Sequence, residues 1–157
     1  MFKTKYESPI GTLYLVSDGE CLCNLYFSNQ PLDSCNNDSL EVFIQVKDWL
    51  DQYFAGKQPN IAMLSLKLNG STFQKQVWKL LLDIPYGSVV TYGDIAKKLD
   101  TKAYQAVGRT IGKNPIGIIV PCHRVVGKDK KLVGFSGGIS IKKYLLAHEG
   151  IDVNEYK

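Results

Sequence analysis

Cys122 stands beside His123 and Arg124 in the segment Pro121-Cys122-His123-Arg124-Val125-Val126, behind the apolar run from Ile116 to Val120. A thiol flanked by an imidazole and a guanidinium lies in a positive field, which favours thiolate, the nucleophilic form of cysteine. The chain holds two histidines, His123 and His148, and the second is followed by Glu149. Nucleophile, base and orienting carboxylate are therefore all present. In an extended segment neighbouring side chains point to opposite faces, so a direct Cys122–His123 hydrogen bond needs a sharp backbone turn; a water relay is the alternative. Phe135-Ser136-Gly137-Gly138 is either a loop of backbone donors or a plain turn. Blander assignments compete: Cys122 as a small buried hydrophobe, and His148 as a complement to the C-terminal dipole of a helix over 140–149 that Gly150 ends.

The elements that would position these residues are mostly helical. Ser71-x-x-Gln74 is a capping box for a helix with Phe73, Val77, Leu80, Leu81 and Ile84 on one stripe, stopped at Pro85-Tyr86-Gly87. Thr91 caps a short helix through Leu99 with Ile95, Ala96 and Leu99 inward. After the turn Asp100-Thr101-Lys102 a further helix runs over about 103–113, with Val107 and Ile111 inward. Two short helices joined by a tight polar turn match a helix-turn-helix. On the second, Ala103, Ala106, Gly108 and Gly112 allow close approach of a partner backbone, and Arg109 and Lys113 can reach phosphates; helix-on-helix packing also favours such small residues.

Ahead of Gly70 the pattern changes. Phe2 to Tyr6, Gly11 to Val16 and Cys21 to Phe27 read as strands separated by Ser8-Pro9-Ile10-Gly11 and Asp18-Gly19. A polar loop from Ser28 to Asn37 leads to Asp38-x-x-Glu41, a capping-box start for a helix carrying Val42, Val46, Trp49, Leu50, Tyr53 and Phe54, ended by Gly56 and Pro59. Leu64 to Leu68 alternates like one more strand. The fold class expected is α+β: a small sheet-and-helix lobe over 1–70 with a structural role, then a mostly helical domain over 71–157 that holds the helix-turn-helix pattern and the cysteine–histidine constellation.

The 157 residues are 45% apolar and 22% charged, which suits an ordinary globular chain and excludes a disordered one. No apolar run approaches the roughly 18 residues a membrane span needs, and the N-terminus lacks a signal-peptide stretch, so a soluble cytoplasmic protein is expected. The net charge of +4 is unevenly placed: residues 1–70 carry −3 and residues 71–157 carry +7, a bias that suits a polyanionic partner or a solvated face. The other cysteines are Cys21, Cys23 and Cys35. With no histidine near them they fall short of a zinc set, and Cys21 and Cys23 read as small hydrophobes on one strand face; no metal is expected.

Pro121-Cys122-His123-Arg124-Val125-Val126 resembles the active-site signature of the O6-alkylguanine-DNA alkyltransferases, the methylated-DNA–protein-cysteine methyltransferases. The resemblance extends through Phe73-Gln74-x-x-Val77-Trp78-x-x-Leu81, Ile84-Pro85-Tyr86-Gly87, Thr91-Tyr92-Gly93-Asp94-Ile95-Ala96, Ala106-Val107-Gly108, Asn114-Pro115, Ser136-Gly137-Gly138 and Leu145-Leu146-Ala147-His148-Glu149-Gly150, in the family's order and spacing over residues 71–150. Residues 1–70 are compatible with the family's variable N-terminal lobe.

The resemblance implies a protein that moves an alkyl group from the exocyclic oxygen of guanine irreversibly to its own Cys122, once per molecule and without a cofactor. It implies His123 as base through water, Glu149 orienting it, Tyr92 giving a proton to the leaving guanine, and Asn114 bracing the loop. Substrate contacts implied are Val125 through its carbonyl, Phe135, Ser136, Gly137 and Ile111. DNA contacts implied are Thr91, Tyr92, Ala103, Tyr104, Gln105, Ala106, Gly108, Arg109, Lys113 and Arg124, with the helix in the minor groove of double-stranded DNA, sequence-independent readout, a flipped base and a monomeric protein. One departure stands out. Where the family usually carries an arginine that fills the gap left by the flipped base, this chain has Gln105, preceded by Tyr104; either could serve as the wedge, or repair is slow. The alternatives are a non-catalytic binder of alkylated DNA on the same scaffold, disfavoured by the presence of Cys122, a helix-turn-helix regulator, and a cysteine hydrolase.

Overall fold

A computed structural model describes residues 1–28, 37–135 and 137–157. Two compact units result: Met1–Asn69 with Pro115–Gly117, and Gly70–Asn114 with Ile118–Lys157.

The first unit is an antiparallel sheet in the order β1 (Phe2–Ser8), β2 (Gly11–Ser17), β3 (Leu22–Phe27), with helix α1 (Glu41–Phe54) packed on it. Tyr6 pairs with Leu13, and Leu15 with Leu25. Leu13, Leu15, Leu22 and Leu25 meet Val42, Phe43, Val46, Leu50 and Tyr53 in a core closed to solvent. Residues 115–117 add to the β3 edge: the Leu25 amide donates to the Pro115 carbonyl at 2.9 Å, and the Gly117 amide donates to the Leu25 carbonyl at 3.0 Å.

Two expectations fail here for local reasons. Asp38 does not cap α1. The N-cap is Leu40, without a side-chain bond, because the Asp38 carboxylate accepts from the Thr4 hydroxyl and from Lys47 Nζ at 3.2 Å. Leu64 to Leu68 does alternate between partly buried and exposed residues, but it makes one parallel bridge, Leu22 to Leu66, and no regular strand. Alternation reports a face; a ladder needs a neighbour along the whole length. Cys21 is half-buried just before β3 and Cys23 is buried within it; Cys35 and most of the polar loop lie outside the described residues. Among the described residues no group of three or more metal-ligating side chains occurs, and no helix is long and apolar enough to cross a membrane.

The second unit holds α2 (Thr72–Leu82), β4 (Val90–Thr91), α3 (Tyr92–Lys98), α4 (Tyr104–Gly112), β5 (Val125–Val126) and α5 (Ile139–His148). Capping boxes start α2 at Ser71 with Gln74, and α3 at Thr91 with Asp94. Trp78, which the stripe reading left out, is the buried anchor of α2: its indole N–H donates to the Thr110 carbonyl on α4 at 2.9 Å. Gly70 makes room for it, since a Cβ there would lie 2.7 Å from the Trp78 ring. α4 is one residue shorter at each end than expected, with Val107, Thr110 and Ile111 inward. β4 and β5 pair in parallel, Val90 with Val125 and Thr91 with Val126, which ties the start of α3 to the segment after Cys122.

Candidate active site

Cys122–Arg124 is one turn of 3-10 helix after Pro121, not the extended segment assumed from the sequence. Successive side chains in such a turn diverge by roughly 120°, so Cys122 and His123 face different neighbours. The turn is closed by the Arg124 amide donating to the Pro121 carbonyl at 3.0 Å, and Cys122, His123 and Arg124 are all buried. Four residues upstream, Ile118 holds φ +68°, a conformation that costs a β-branched residue about 1–3 kcal/mol and that the buried run around it enforces.

Glu149 caps the end of α5, and four donors converge on its buried carboxylate. Arg124 Nε donates to Oε1 at 2.7 Å and Nη2 to Oε2 at 3.1 Å; the Gly87 amide reaches Oε1 at 3.1 Å; His123 Nε2 lies 2.6 Å from Oε2. Gly87 takes φ +79°, which turns its N–H into the site. The remaining Arg124 nitrogen, Nη1, donates to the Ile84 carbonyl at 2.7 Å. Arg124 is thus not a DNA contact, contrary to expectation: a buried carboxylate needs a countercharge, and the guanidinium fork supplies it.

With Arg124 and Gly87 donating, Glu149 is an acceptor throughout, so the proton in its bond with His123 sits on Nε2. His123 Nδ1 then carries a lone pair, and it is buried without a hydrogen-bond partner among the described residues. Burial pushes the His123 pKa below its ordinary 6.5, against the upward pull of Glu149, which keeps the ring neutral. One ring nitrogen is fixed and the other is unpaired among the described residues, the arrangement a general base requires. His148, the other candidate, stacks on Tyr144 with ring centroids 6.1 Å apart.

Burial pushes the Cys122 thiol up, opposed by a side-chain hydrogen bond from Asn114 and by the charge of Lys142. The cation expected to favour thiolate, Arg124, is neutralised by Glu149, so the resting group is a thiol. Asn114, just past α4, also donates from Nδ2 to the Val120 carbonyl at 2.7 Å and so braces the loop that leads to Cys122. Tyr92 opens α3; its hydroxyl donates to the Val133 carbonyl at 3.0 Å, and its pKa is pushed up to about 12 by burial and then by Cys122.

Lys142 was not anticipated. Its side chain is fully buried, and Nζ donates to the Val125 carbonyl at 2.6 Å and to the Val133 carbonyl at 3.0 Å, with Nζ 5.9 Å from the centroid of the Tyr92 ring. Desolvation pushes its pKa down to about 8. The sequence does hold a signal: Lys142, Leu145, Leu146 and Glu149 share one helical face, so a lysine stands on the buried stripe.

Other expected residues scatter. Val125 is buried with its carbonyl turned to Lys142. Phe135 and Gly137 are half-buried in the same loop region, and Ser136 lies outside the described residues. Ile111 is a core residue of α4, 1% exposed, on the face that packs inward with Val107. Ala103, Tyr104, Gln105, Arg109 and Lys113 are exposed, and Ala106 and Gly108 partly so, along one end and side of α4. A shallow groove there is lined by Lys102, Ala103, Tyr104, Gln105, Ala106 and Arg109. Thr91 is half-buried with its hydroxyl engaged in capping α3.

Residues 72–151 match the family described as 6-O-methylguanine DNA methyltransferase, DNA binding domain, and residues 1–68 match 6-O-methylguanine DNA methyltransferase, ribonuclease-like domain. The chain is 39% identical over 156 residues to the methylated-DNA–protein-cysteine methyltransferase of Haemophilus influenzae, covering 96% of this chain and 87% of that protein. It is 41% identical over 155 residues to that of Methanosarcina acetivorans, covering 96% and 99%. Its structure is similar to Mycobacterium tuberculosis OGT in complex with DNA, with a TM-score of 0.84 and 39% identity over 99% of this chain and 95% of that one. The O6-methylguanine DNA methyltransferase of Methanococcus jannaschii gives 0.68 and 29% over 95% and 94%.

Proposed function

The chain belongs to the 6-O-methylguanine DNA methyltransferase family, and from that premise we propose that Cys122 is the acceptor of the alkyl group, served by His123, Glu149, Asn114 and Tyr92. The activity is single-turnover DNA repair: an alkyl group leaves the O6 atom of guanine in double-stranded DNA for a protein cysteine. The Cys122 proton passes through a water to His123 Nδ1, and Glu149 stabilises the imidazolium that forms. The sulfur then bonds to the alkyl carbon as the carbon–O6 bond breaks. The electron pair stays on the base, Tyr92 supplies a proton to it, and the proton taken from the thiol replaces the one Tyr92 gave. Thiol and alkylated guanine become thioether and guanine, with no cofactor consumed.

We assign the chemistry and the DNA contacts to the second unit, with a structural role for the first. The α3–turn–α4 pair serves as a helix-turn-helix, presenting Ala103, Tyr104, Gln105, Ala106 and Gly108 to the minor groove and Arg109 and Lys113 to phosphates. Unstacking the target base costs on the order of a few kcal/mol. Tyr104 and Gln105 are both exposed at the start of α4, and the flat aromatic ring of Tyr104, able to stack on a base, favours it over the shorter amide of Gln105 as the side chain that fills the gap. The guanine is read at the Val125 carbonyl and by the loop of Phe135, Ser136 and Gly137. The protein acts as a monomer, and its compartment is the cytoplasm.

The observation that carries the assignment is His123, the residue after Cys122, fixed by Glu149 at 2.6 Å with its Nδ1 buried and unpaired among the described residues. Single-turnover transfer from a duplex with one O6-methylguanine, followed against pH in wild type and His123→Gln, tests it. The wild-type rate is expected to stay high at neutral pH, while the variant's rate rises roughly tenfold per pH unit, as free thiolate does. Parallel profiles would remove His123 from the mechanism.

A further inference from the structure

A lysine ammonium buried in a dry site is costly unless ionised partners compensate it, and replacing such a charge by an apolar side chain is often neutral or stabilising. Among the described residues no carboxylate pairs with Lys142. Its bonds go to two neutral carbonyls, those of Val125, three residues past Cys122, and Val133. Arg124 is neutralised by Glu149, and His123 is held neutral by burial. Among the described residues around Cys122, Lys142 is therefore the cation whose partners are all uncharged. It also shares the Val133 carbonyl with the Tyr92 hydroxyl, so one acceptor fixes both the phenol and the ammonium.

We infer that Lys142 is a positioning residue for the transfer, supplying the positive charge against which the Cys122 thiolate forms and pinning the Val125 and Val133 carbonyls that frame the alkylated base. The inference rests on Cys122 being the acceptor. The groups facing Lys142 are Tyr92 from α3 and Cys122 and His123 from the 3-10 turn. The turn Val153–Glu155, also packed on α5, contributes Glu155, which is taken by Lys130 at 2.7 Å. Burial pushes the Lys142 pKa down to about 8, and Cys122 pulls it back up. Among the described residues Lys142 takes part in no ion pair, and its Nζ sits 2.6 Å from the carbonyl three residues past Cys122 and 5.9 Å from the Tyr92 ring centroid.

The test reads the thiol without DNA. Alkylation of Cys122 by iodoacetamide is followed against pH by peptide mass in wild type, Lys142→Met and Lys142→Arg, with thermal melts to establish folding. In Lys142→Met the midpoint of Cys122 reactivity is expected to rise by about one to two pH units, and Lys142→Arg to restore most of that shift. A folded Lys142→Met with the wild-type profile overturns the inference, since a purely structural lysine would alter the melt and leave the profile in place. If Lys142→Met does not fold, the wild-type protein answers. Lysine 13Cε shifts are titrated before and after Cys122 is methylated chemically with methyl iodide. The Lys142 midpoint is expected to fall when its thiolate partner is lost; an unchanged midpoint overturns the inference. Neither arm uses alkylated DNA, so its outcome is separate from that of the repair assignment.

Discussion

Arg124 grips Glu149 with two nitrogens, Nε at 2.7 Å from Oε1 and Nη2 at 3.1 Å from Oε2, inside the protein. That pairing fixes the carboxylate which in turn fixes His123, and it removes Arg124 from any role at the surface. Removing one partner leaves a buried charge uncompensated. Arg124→Met is therefore expected to lower unfolding free energy by about 3–5 kcal/mol in urea denaturation. The salt dependence of DNA affinity should not change in any folded Arg124 variant. In Arg109→Ala the log–log slope is expected to fall by about 1, as for a lost phosphate contact.

The neutral His123 ring sets a pH dependence of stability. Its folded pKa lies below the ordinary 6.5, so the unfolded chain binds the proton more readily. As pH falls through 6.5 the unfolded state gains a proton the folded state refuses, and stability drops; above 6.5 no such loss occurs. Urea midpoints measured from pH 7.5 to 5.5 should fall in wild type and fall less steeply in His123→Gln.

Tyr104 and Gln105 separate at the extrusion step. Stacking of an aromatic ring on a base is worth about 1–3 kcal/mol. Tyr104→Ala is expected to slow transfer from duplex DNA by roughly 5- to 150-fold at subsaturating DNA, while transfer from a free O6-alkylated guanine base keeps its rate. Gln105→Ala should change the duplex rate by less.

Gly70→Ala tests the packing that anchors α2. The new methyl would lie 2.7 Å from the Trp78 ring, whose N–H is held by Thr110. A loss of about 1–3 kcal/mol is expected from thermal melts, without a change in the rate of Cys122 alkylation.

Much of this arrangement is legible in the chain, and the gaps have causes. The capping boxes at Ser71 and Thr91 are local chemistry, so the starts of α2 and α3 can be read directly. Asp38 carries the same local signal, yet Thr4 and Lys47 outbid the helix for its carboxylate, a tertiary contact no pattern shows. Cys122, His123 and Glu149 can be picked out by type. Which histidine meets Glu149 cannot, because His123 and Glu149 are joined only when a 3-10 turn replaces an extended segment. Arg124 looks like a surface cation in sequence, since its burial depends on a carboxylate 25 positions away. Lys142 does not stand out by type, because lysine on a helix is ordinarily solvated; its register with Leu145, Leu146 and Glu149 is the available clue.

The central claim is that the alkyl group ends on Cys122. Intact-protein mass after mixing with one equivalent of duplex DNA bearing a single O6-methylguanine, with Cys122→Ser in parallel, measures it directly. One methyl gained by the wild type, localised to the Cys122 peptide and absent from the variant, is the expected result. DNA binding with no gain in mass, or a methyl found on Cys21, Cys23 or Cys35, would contradict it.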